Sequence, residues 1–586
     1  MSMARRWREL LPLTAVLALA LLLRFLPLEH GAPRNYLPDT HAVRAALGMA
    51  KDKDLAPPVG KYSTYPYLMP YLLLPVYGAQ YALGKANGEW RGPEEYGNFV
   101  AAHPERVAVP ARALVACFGV LTALAVYAAS RAAGLRRGAL AAAFLTATGL
   151  LHVQMSVQER PWVIVVLFGG LCLWALLDYA KTRRLRSLIA AGALAGLSFA
   201  THQAGGFFAL LVAATWCFSA PRAGDWRGKP LWTRVSGALL AALACVVVGV
   251  LCGHGYYLFH GSVGGEHMAG GTRAAEHFSI GGQALRTGFS WQSFLHLGSA
   301  LAGYDPVLLV LGVLGLPFAW RIACLRGPLL FTLAYAAFFL FNPSDHVRYL
   351  LPLTVLLALP AGVVCDLVME RRLGRVAVLV LFSLPLLQAS RLVWLLRQED
   401  TRAEAERRIE LLVSNPSSSL RVAIDHNGPQ VELSRKALEE LALLRPLRTR
   451  EERRLALLKA GLESGARPGV PAIFVEELFG FDDASGSYTV ASGRRNLAPT
   501  PVAMFQALGI THFVLVDRRP ARPLDGTREP YLGPLAAGWT PVWSIDPSRP
   551  QGTTDEALLP TEMDFPLRGL WSVDRPGPKI TLYALP

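Results

Sequence analysis

The sequence is poor in cysteine and lacks the spacings on which cysteine-based sites depend. No pair among its seven cysteines has the spacing of a zinc site or a redox motif. Residues 398–586 contain no cysteine, so this part of the chain must fold without disulfides even in an oxidising compartment. The cysteines are predicted to be small apolar core residues, and they are Cys117, Cys172, Cys217, Cys245, Cys252, Cys324 and Cys365.

Short catalytic motifs are missing as well. Residues 398–586 contain no phosphate-cradling glycine motif, no nucleophile elbow and no HExxH sequence, which excludes the enzyme classes that depend on them for this part of the chain. No internal repeat with a period of about 20–50 residues is apparent, which excludes a solenoid.

Charged residues are scarce and apolar ones abundant. Only 17% of the 586 residues are charged, 52% are hydrophobic and the mean hydropathy is +0.32. This composition is typical of an integral membrane protein with room for one additional soluble domain. The net charge of +15 also suits nucleic-acid binding, but much of the excess lies in loops between apolar runs, so we predict no nucleic-acid partner.

About eleven apolar runs suit a bilayer core of about 30 Å, although several are short. No Ala-x-Ala-like cleavage site follows the first run, which predicts a retained helix rather than a signal peptide. A further apolar stretch, 67–84, contains Pro70 and Pro75 and is predicted to be a juxtamembrane or re-entrant helix. The runs are 10–28, 107–130, 138–154, 161–179, 187–201, 205–219, 235–259, 304–320, 328–341, 347–368 and 376–396.

The loops between these runs are alternately basic and basic-poor. Basic clusters occur at 5–8, 131–137, 181–186, 222–234, 321–326 and 371–375. By the positive-inside rule these clusters, with the N-terminus, lie in the cytoplasm. The odd number of spans then places residues 398–586 outside. The sequence therefore predicts a multi-pass protein of the cytoplasmic (inner) membrane with an extracytoplasmic C-terminal domain.

Strand-like and helix-like stretches alternate after residue 397, which predicts a small α/β domain. The predicted fold class is thus a polytopic α-helical membrane protein, with about 11 transmembrane helices in residues 1–397, and an α/β domain in residues 398–586 for acceptor recognition or packing. Helices are predicted at about 431–463 and 501–508. Strands are predicted at Arg421–Asp425, Ala472–Glu476, Phe513–Asp517, Pro541–Ile545 and Lys579–Tyr583.

The first outer loop, about 29–106, opens with a helix start at Pro38 and Asp39. As a helix cap alone Asp39 would be ordinary. At the outer membrane face, however, it is also a candidate catalytic carboxylate. The helix that it opens would lie along the membrane, with one face formed by Val43, Ala46, Leu47 and Ala50.

The order of the outer-face motifs resembles that of the GT-C glycosyltransferases. Most similar are the protein O-mannosyltransferases, the aminoarabinose transferases that modify lipid A, and related bacterial enzymes that use polyprenyl-phosphate sugars. The resemblance covers about the first 400 residues. Its motifs are Pro38-Asp39, Tyr65-Pro66-Tyr67, Val109 to Val115, His152 to Pro161 and Arg348-Tyr349-Leu350-Leu351-Pro352.

The resemblance implies that Asp39 is the catalytic base. The family often has Asp-Glu where this chain has Asp39-Thr40, so Glu159 is the candidate for the second acid. A family lysine for the donor phosphate is replaced by the sequence Ala-Thr-His-Gln at 200–203, which leaves His202 or Arg348 to bind that phosphate. Substrate-contacting or supporting roles are predicted for Arg160, Tyr65, Tyr349 and His346.

The chemistry expected at this face supports the same residues. No nucleoside triphosphate is available outside the cell, so an activated sugar must arrive on a membrane lipid. A carboxylate can take the proton of the acceptor hydroxyl, and an arginine can neutralise the departing phosphate. Simple interfacial ion pairs, Glu159 with Arg160 and Asp345 with Arg348, remain alternatives, each worth under about 1 kcal/mol.

A glycine-rich outer loop, about 260–303, is predicted to act as a lid. Its histidine and glutamate residues could instead hold a divalent metal, although their spacing matches no standard ligand set, and no cofactor is otherwise predicted. The alternatives to a glycosyltransferase are a transporter or flippase for a lipid-linked saccharide and a non-catalytic scaffold. Transporters typically place ionisable groups near the bilayer midplane and contain inverted repeats. The sequence leaves the sugar, its lipid carrier and the acceptor (a lipid, glycan or protein) open.

Overall fold

The structure is a computed structural model of the whole chain. It describes residues 3–36, 40–58, 61–62, 65–219, 231–256, 277–280, 283–286, 289–341, 347–415, 419–447, 449–459, 469–482, 487–490, 500–517, 532–548 and 565–586. Contacts divide the chain into two compact units. Unit 1 comprises Met1–Leu28, Asp39–Gln80 and Ala108–Val393, and unit 2 comprises Glu29–Pro38, Tyr81–Val107 and Trp394–Pro586. The domain bounds given above stay a prediction.

Each apolar run predicted to span the membrane coincides with helical structure. Among the described residues, five helical stretches are long and apolar enough to cross, namely Glu105–Ala133, Trp162–Thr182, Val235–Gly253, Val347–Val368 and Arg372–Val413. The last stretch consists of the helix Arg372–Leu396 and, after a break at 397–400, the helix Thr401–Val413. The bent pair Arg137–Thr148 and Leu150–Ser156 makes a sixth candidate. The shorter apolar helices are Leu11–Phe25, Leu185–Thr201, Gln203–Phe218, Pro306–Trp320 and Ala323–Phe338. The protein is therefore a multi-pass membrane protein; the count of eleven spans and their orientation stay predictions.

Helices also form within the predicted first outer loop, at His41–Asp52, Leu68–Ala86 and Pro93–Ala102. The predicted helix after Asp39 is confirmed, but its cap position is Thr40, which makes no side-chain capping bond. Of the four residues predicted to share one face, Val43 and Ala46 are buried, Leu47 is half-buried and Ala50 is exposed. The buried side of the helix is completed by Ala42, Ala45 and Met49.

A five-stranded sheet organises the C-terminal part of unit 2. Its strands are β3 (Val422–Ile424), β4 (Ala472–Phe474), β7 (His512–Val516), β8 (Thr540–Ile545) and β9 (Ile580–Ala584), in the order β4-β3-β7-β9-β8. The β4, β3 and β7 strands are parallel, and β9 pairs antiparallel with β7 and β8. All five strands lie at the predicted places, which confirms the α/β class.

Helices cover both faces of this sheet because side chains alternate along each strand. Val422 and Ile424 enter one apolar core, and Ala423 between them enters the other. The helical stretch predicted at about 431–463 contains two helices, Arg435–Leu444 and Thr449–Lys459, which are separated around Pro446. Proline cannot continue the backbone hydrogen-bond ladder. The remaining helices are Thr401–Val413, Pro501–Ala507 and Leu567–Ser572.

Two short hairpins were not predicted. One consists of β1 (His277–Ile280) and β2 (Gln283–Arg286), within the glycine-rich loop. The other consists of β5 (Phe479–Asp482) and β6 (Ser487–Val490), beside the sheet. A further helix, Trp291–Tyr304, precedes Pro306–Trp320.

Candidate functional site

Aromatic and basic side chains from three distant parts of unit 1 meet in one cluster. The ring of His202 lies 4.2 Å from that of Trp162 and 5.1 Å from that of Tyr65, measured between centroids. Trp162 meets Tyr349 edge-on at 4.8 Å, and the guanidinium carbon of Arg348 lies 5.5 Å from the Tyr349 centroid. Four residues predicted from the sequence are thus brought together. We call these five residues the Arg348 cluster.

The backbone around His202 determines which ring nitrogen carries the proton. His202 ends the helix Leu185–Thr201, and its Nδ1 accepts a hydrogen bond from the backbone N–H of Ala204 at 3.0 Å. In the neutral ring the proton is therefore on Nε2. Burial, together with the positive charge of Arg348, lowers the pKa of His202 to about 3. At physiological pH His202 is consequently a neutral hydrogen-bond donor, not a cation.

Arg348 is carried by a short turn that two helices hold in place. The turn Val347–Leu350 leads directly into the helix Leu351–Val368. The hydroxyl of Tyr335, on the neighbouring helix Arg326–Phe338, donates to the backbone oxygen of Tyr349 at 2.9 Å. These contacts fix the backbone directly after the arginine, so its charge is presented from a rigid support.

Trp162, which the sequence analysis did not single out, joins the two halves of the cluster. It is the first residue of the helix Trp162–Thr182, and its side chain is buried. In the sequence it is the start of an apolar run and is therefore indistinguishable from a core residue. A tryptophan directly after Arg160 and Pro161, at the predicted membrane interface, was the available signal. His41 extends the same cluster, with its ring 5.7 Å from that of Tyr65.

Glu159, the predicted second acid, is held in a buried ion pair. Arg112 Nε donates to a Glu159 carboxylate oxygen at 2.8 Å, and the side chains are 3% and 0% exposed. Arg112 Nη1 also donates to the backbone oxygen of Leu28 at 3.0 Å. The arginine therefore connects the second outer loop to the end of the first helix. Arg160, beside this pair, is also buried. The catalytic role of Glu159 and the supporting role of Arg160 stay predictions.

The segment that leads to Glu159 is shaped by a break in a helix. Helices Arg137–Thr148 and Leu150–Ser156 meet at an angle of 55°, so the first N–H groups of the second helix have no partners in the first. Asp305 provides the missing hydrogen-bond acceptors. Its two carboxylate oxygens accept from the N–H groups of Leu150 and Leu151 at 2.6 and 3.4 Å. Asp305 thus caps a helix to which it does not belong.

Arg24 connects the first helix to this bent pair. It is fully buried, and its Nη1 donates to the backbone oxygens of Ala20 and Ala147 at 3.0 and 2.9 Å. Its Nη2 lies 2.8 Å from Nδ1 of His152. Backbone carbonyls and an imidazole therefore solvate this charge inside the helical unit.

Several predicted features lie outside the described residues. They include Asp39, His346, Asp345 and most of the glycine-rich loop, so the predicted base and lid have no described geometry. Within the described ranges, no three His, Cys, Asp or Glu side chains are placed so that they could hold a metal ion.

Residues 105–250 match the family model described as dolichyl-phosphate-mannose-protein mannosyltransferase. This segment is thus similar to the protein mannosyltransferases. The match confirms the predicted resemblance to GT-C glycosyltransferases, and the matched segment includes Arg112, Glu159, Trp162 and His202. Tyr65 and Arg348 lie outside it. No curated protein matches the sequence.

Two solved structures are similar at low sequence identity. The archaeal oligosaccharyltransferase AglB from Archaeoglobus fulgidus, in complex with an inhibitory peptide and a dolichol-phosphate, is 12% identical, with 88% of this chain and 70% of that chain covered and a TM-score of 0.45. ArnT from Cupriavidus metallidurans, bound to undecaprenyl phosphate, is 18% identical, with 69% and 66% covered and a TM-score of 0.42. Similarities this slight carry no argument about function.

Proposed function

We propose that the protein is an integral membrane glycosyltransferase. It transfers a sugar from a polyprenyl-phosphate donor to an acceptor hydroxyl at the outer face of the cytoplasmic membrane. The observation that carries this proposal is the Arg348 cluster, which joins a cation, a neutral imidazole donor and three aromatic rings in the unit that contains the segment related to the mannosyltransferases.

The cluster suits a leaving lipid phosphate. As the bond between the anomeric carbon and the phosphate oxygen breaks, negative charge grows on the phosphate. The guanidinium of Arg348 stabilises that charge, with two donors in a fork that matches phosphate oxygens. Neutral His202 adds the Nε2 hydrogen as a further donor without requiring a protonated ring. Because Arg348 supplies the positive charge and His202 supplies a neutral donor, a histidine can serve at the position where the family commonly has a lysine.

The other half of the reaction belongs to Asp39. Its carboxylate takes the proton of the acceptor hydroxyl while the acceptor oxygen forms its bond to the anomeric carbon. The sugar thereby passes to the acceptor, and the lipid phosphate departs with the electrons of the broken bond. General-base assistance of this kind is worth about 10²–10⁴ in rate. Glu159, paired with Arg112, supports the outer-face architecture in this mechanism, and unit 2 provides acceptor recognition.

The test is a panel of polyprenyl-phosphate sugars, including hexosyl and pentosyl donors, presented to the purified full-length protein. Lipid, glycan and peptide acceptors are offered in parallel, and mass spectrometry identifies the products. We expect one donor class to yield a glycosylated acceptor and free polyprenyl phosphate in equal amounts. Movement of the donor across proteoliposomes with no transfer would replace this proposal with a transporter.

A further inference from the structure

A short segment of the first outer loop is anchored inside unit 2. Arg34 Nη2 donates to Glu406 at 2.6 Å, and Arg34 Nε contacts both oxygens of the same carboxylate at 3.0 and 3.2 Å. Arg34 Nη1 donates to Glu432 at 2.7 Å, and a second arginine, Arg454, shares that carboxylate at 2.8 Å. The side chains of Arg34 and Glu406 are only 4% and 2% exposed. This network is therefore hardly accessible to water.

Two further contacts hold the residues that follow. The guanidinium carbon of Arg402 lies 4.2 Å from the centroid of the buried Tyr36 ring, which is the geometry of a cation–π contact. Asp400 fixes that arginine through two hydrogen bonds, at 2.8 and 2.7 Å. Between them, the side chain of Gln430 donates to the backbone oxygen of Asn35 at 2.9 Å. Three consecutive residues of the segment are thus each held.

Two of the partners of these residues come from positions where an α/β sheet typically binds its ligands. Gln430 and Glu432 lie in the loop that follows β3, at the carboxyl end of the parallel strands. In this protein that loop binds part of its own chain. A forked guanidinium between two carboxylates has one geometry, because its donors lie in a plane. The contacts therefore define where residues 34–36 lie in unit 2, beyond simply stabilising it.

We infer that this Arg34 clamp is a positioning device for the catalytic base, a role that rests on the proposed function. Only Leu37 and Pro38 separate Tyr36 from Asp39, so the clamp fixes one end of a very short stretch of chain. Arg34 is consequently a positioning residue.

The alternative is that Arg34 only stabilises unit 2. The chain offers a matched control, because Arg445 makes the same kind of double ion pair elsewhere in that unit. Its guanidinium contacts Glu451 at 2.7 and 2.8 Å and Glu477 at 2.7 Å. Replacing Arg445 removes a comparable network and leaves residues 34–36 untouched.

The experiment compares Arg34→Met with Arg445→Met in the full-length protein, reconstituted in nanodiscs. Hydrogen exchange of peptides covering residues 29–36 reports whether the segment is released, and steady-state kinetics separate kcat from the KM of the donor. For Arg34→Met we expect faster exchange in that segment and a fall in kcat of about tenfold or more, since misplacing a catalytic group by about 1 Å can cost about 10²-fold. The KM of the donor should change by less than about twofold, since a misplaced base slows the chemical step rather than donor binding.

The Arg445→Met control distinguishes a positioning role of Arg34 from a purely stabilising one. Arg445→Met should leave both the exchange of residues 29–36 and kcat close to wild type. An equal fall of kcat in both variants, or unchanged kcat in an Arg34→Met protein whose segment is released, would overturn the inference. If Arg34→Met does not fold, Glu406→Gln and Gln430→Ala remove single contacts and should shift both readouts in the same direction. If no donor is turned over by the wild type, the proposed function fails, and unchanged exchange in these variants would separately disprove the clamp.

Discussion

The two units handle buried charge in different ways. In unit 1 two buried charges are solvated by the backbone, Arg24 by carbonyl oxygens and Asp305 by N–H groups, beside the single buried ion pair of Arg112 and Glu159 described above. In unit 2 the charges form side-chain networks, such as Arg34 with two glutamates and Arg402 with Asp400. The difference follows the surroundings, because backbone groups left without partners are most costly in an apolar medium.

The comparison also explains how a unit without disulfides is held together. The described part of unit 2 combines two apolar cores, one on each face of its sheet, with forked arginine–carboxylate pairs. Such pairs add geometric specificity, whereas their net stabilisation is small or context-dependent. In unit 1, polar contacts occur at the break between the helices Arg137–Thr148 and Leu150–Ser156 and in the Arg348 cluster. Charges in unit 2 therefore organise structure, whereas the charges proposed for the outer face carry out chemistry.

The substitution Asp39→Asn is the strongest test of this distinction between structural and catalytic charges. The amide has nearly the same shape and still accepts a hydrogen bond, but it cannot take a proton from the acceptor. We expect transfer to fall by at least about a hundredfold, with donor binding and detergent-extracted stability nearly unchanged. The measurement is initial rate with the donor identified by the panel. Asn caps helices about as well as Asp, so a variant with near-wild-type transfer would mean that the carboxylate serves structure alone.

A second test concerns the carboxylates that cap helices in unit 1. Asp305 is buried, whereas the partly exposed Asp366 makes the same kind of contact with the N–H groups of Arg137 and Gly138, both at 2.8 Å. Asp305→Ala should lower the free energy of unfolding by about 3 kcal/mol, because two bonds to a charged acceptor are lost without water to replace them. Asp366→Ala should cost only about 1 kcal/mol. Pulse proteolysis in detergent measures both, and equal losses would show that burial does not set the cost.

The third test addresses donor binding in the Arg348 cluster. Arg348→Lys keeps the positive charge but loses the planar fork. We expect the KM of the donor to rise by about tenfold, the worth of roughly one charged hydrogen bond, with little change in thermal unfolding. Arg321→Lys, on an exposed loop, is the control and should leave the KM of the donor unchanged. An unchanged KM in Arg348→Lys would indicate that the phosphate is bound elsewhere.

The sequence predicted the helices and strands better than the side-chain contacts between them. Hydropathy located each of the helical stretches that, among the described residues, are long and apolar enough to cross a membrane. The clustering of β-branched and aromatic residues located the five strands of the sheet, because both signals are local. The pairing of Glu159 was not predictable in this way. Its partner, Arg112, lies 47 residues away on another helix, whereas the neighbouring Arg160 was the obvious candidate from spacing alone.

The same limit applies to the candidate site. Tyr65, His202, Arg348 and Tyr349 could be chosen from motifs at one membrane face, and they do come together. Trp162 could not, because a buried tryptophan in an apolar run has the same sequence signature whether it packs or supports a site. The anchoring of Arg34 was equally invisible, since its carboxylate partners lie more than 370 residues away and only the tertiary fold brings them close.

The smallest expected effect is a dependence of stability on pH that originates at His202. Its pKa is about 3 in the folded protein, against 6.5 for an ordinary histidine, so the unfolded state binds the additional proton. The stabilisation that depends on a neutral His202 ring is therefore fully present above about pH 6.5 and is lost progressively as the pH falls toward the pKa of the folded protein. Lowering the pH from about 7.5 to about 6 should reduce the free energy of unfolding by about 1 kcal/mol. His202→Asn, which can still accept from Ala204, should remove this part of the slope, and urea unfolding of both proteins at the two pH values measures the difference. Identical slopes would mean that folding does not lower the pKa of His202, and the ring would then protonate in the folded protein within this pH range instead of staying a neutral donor.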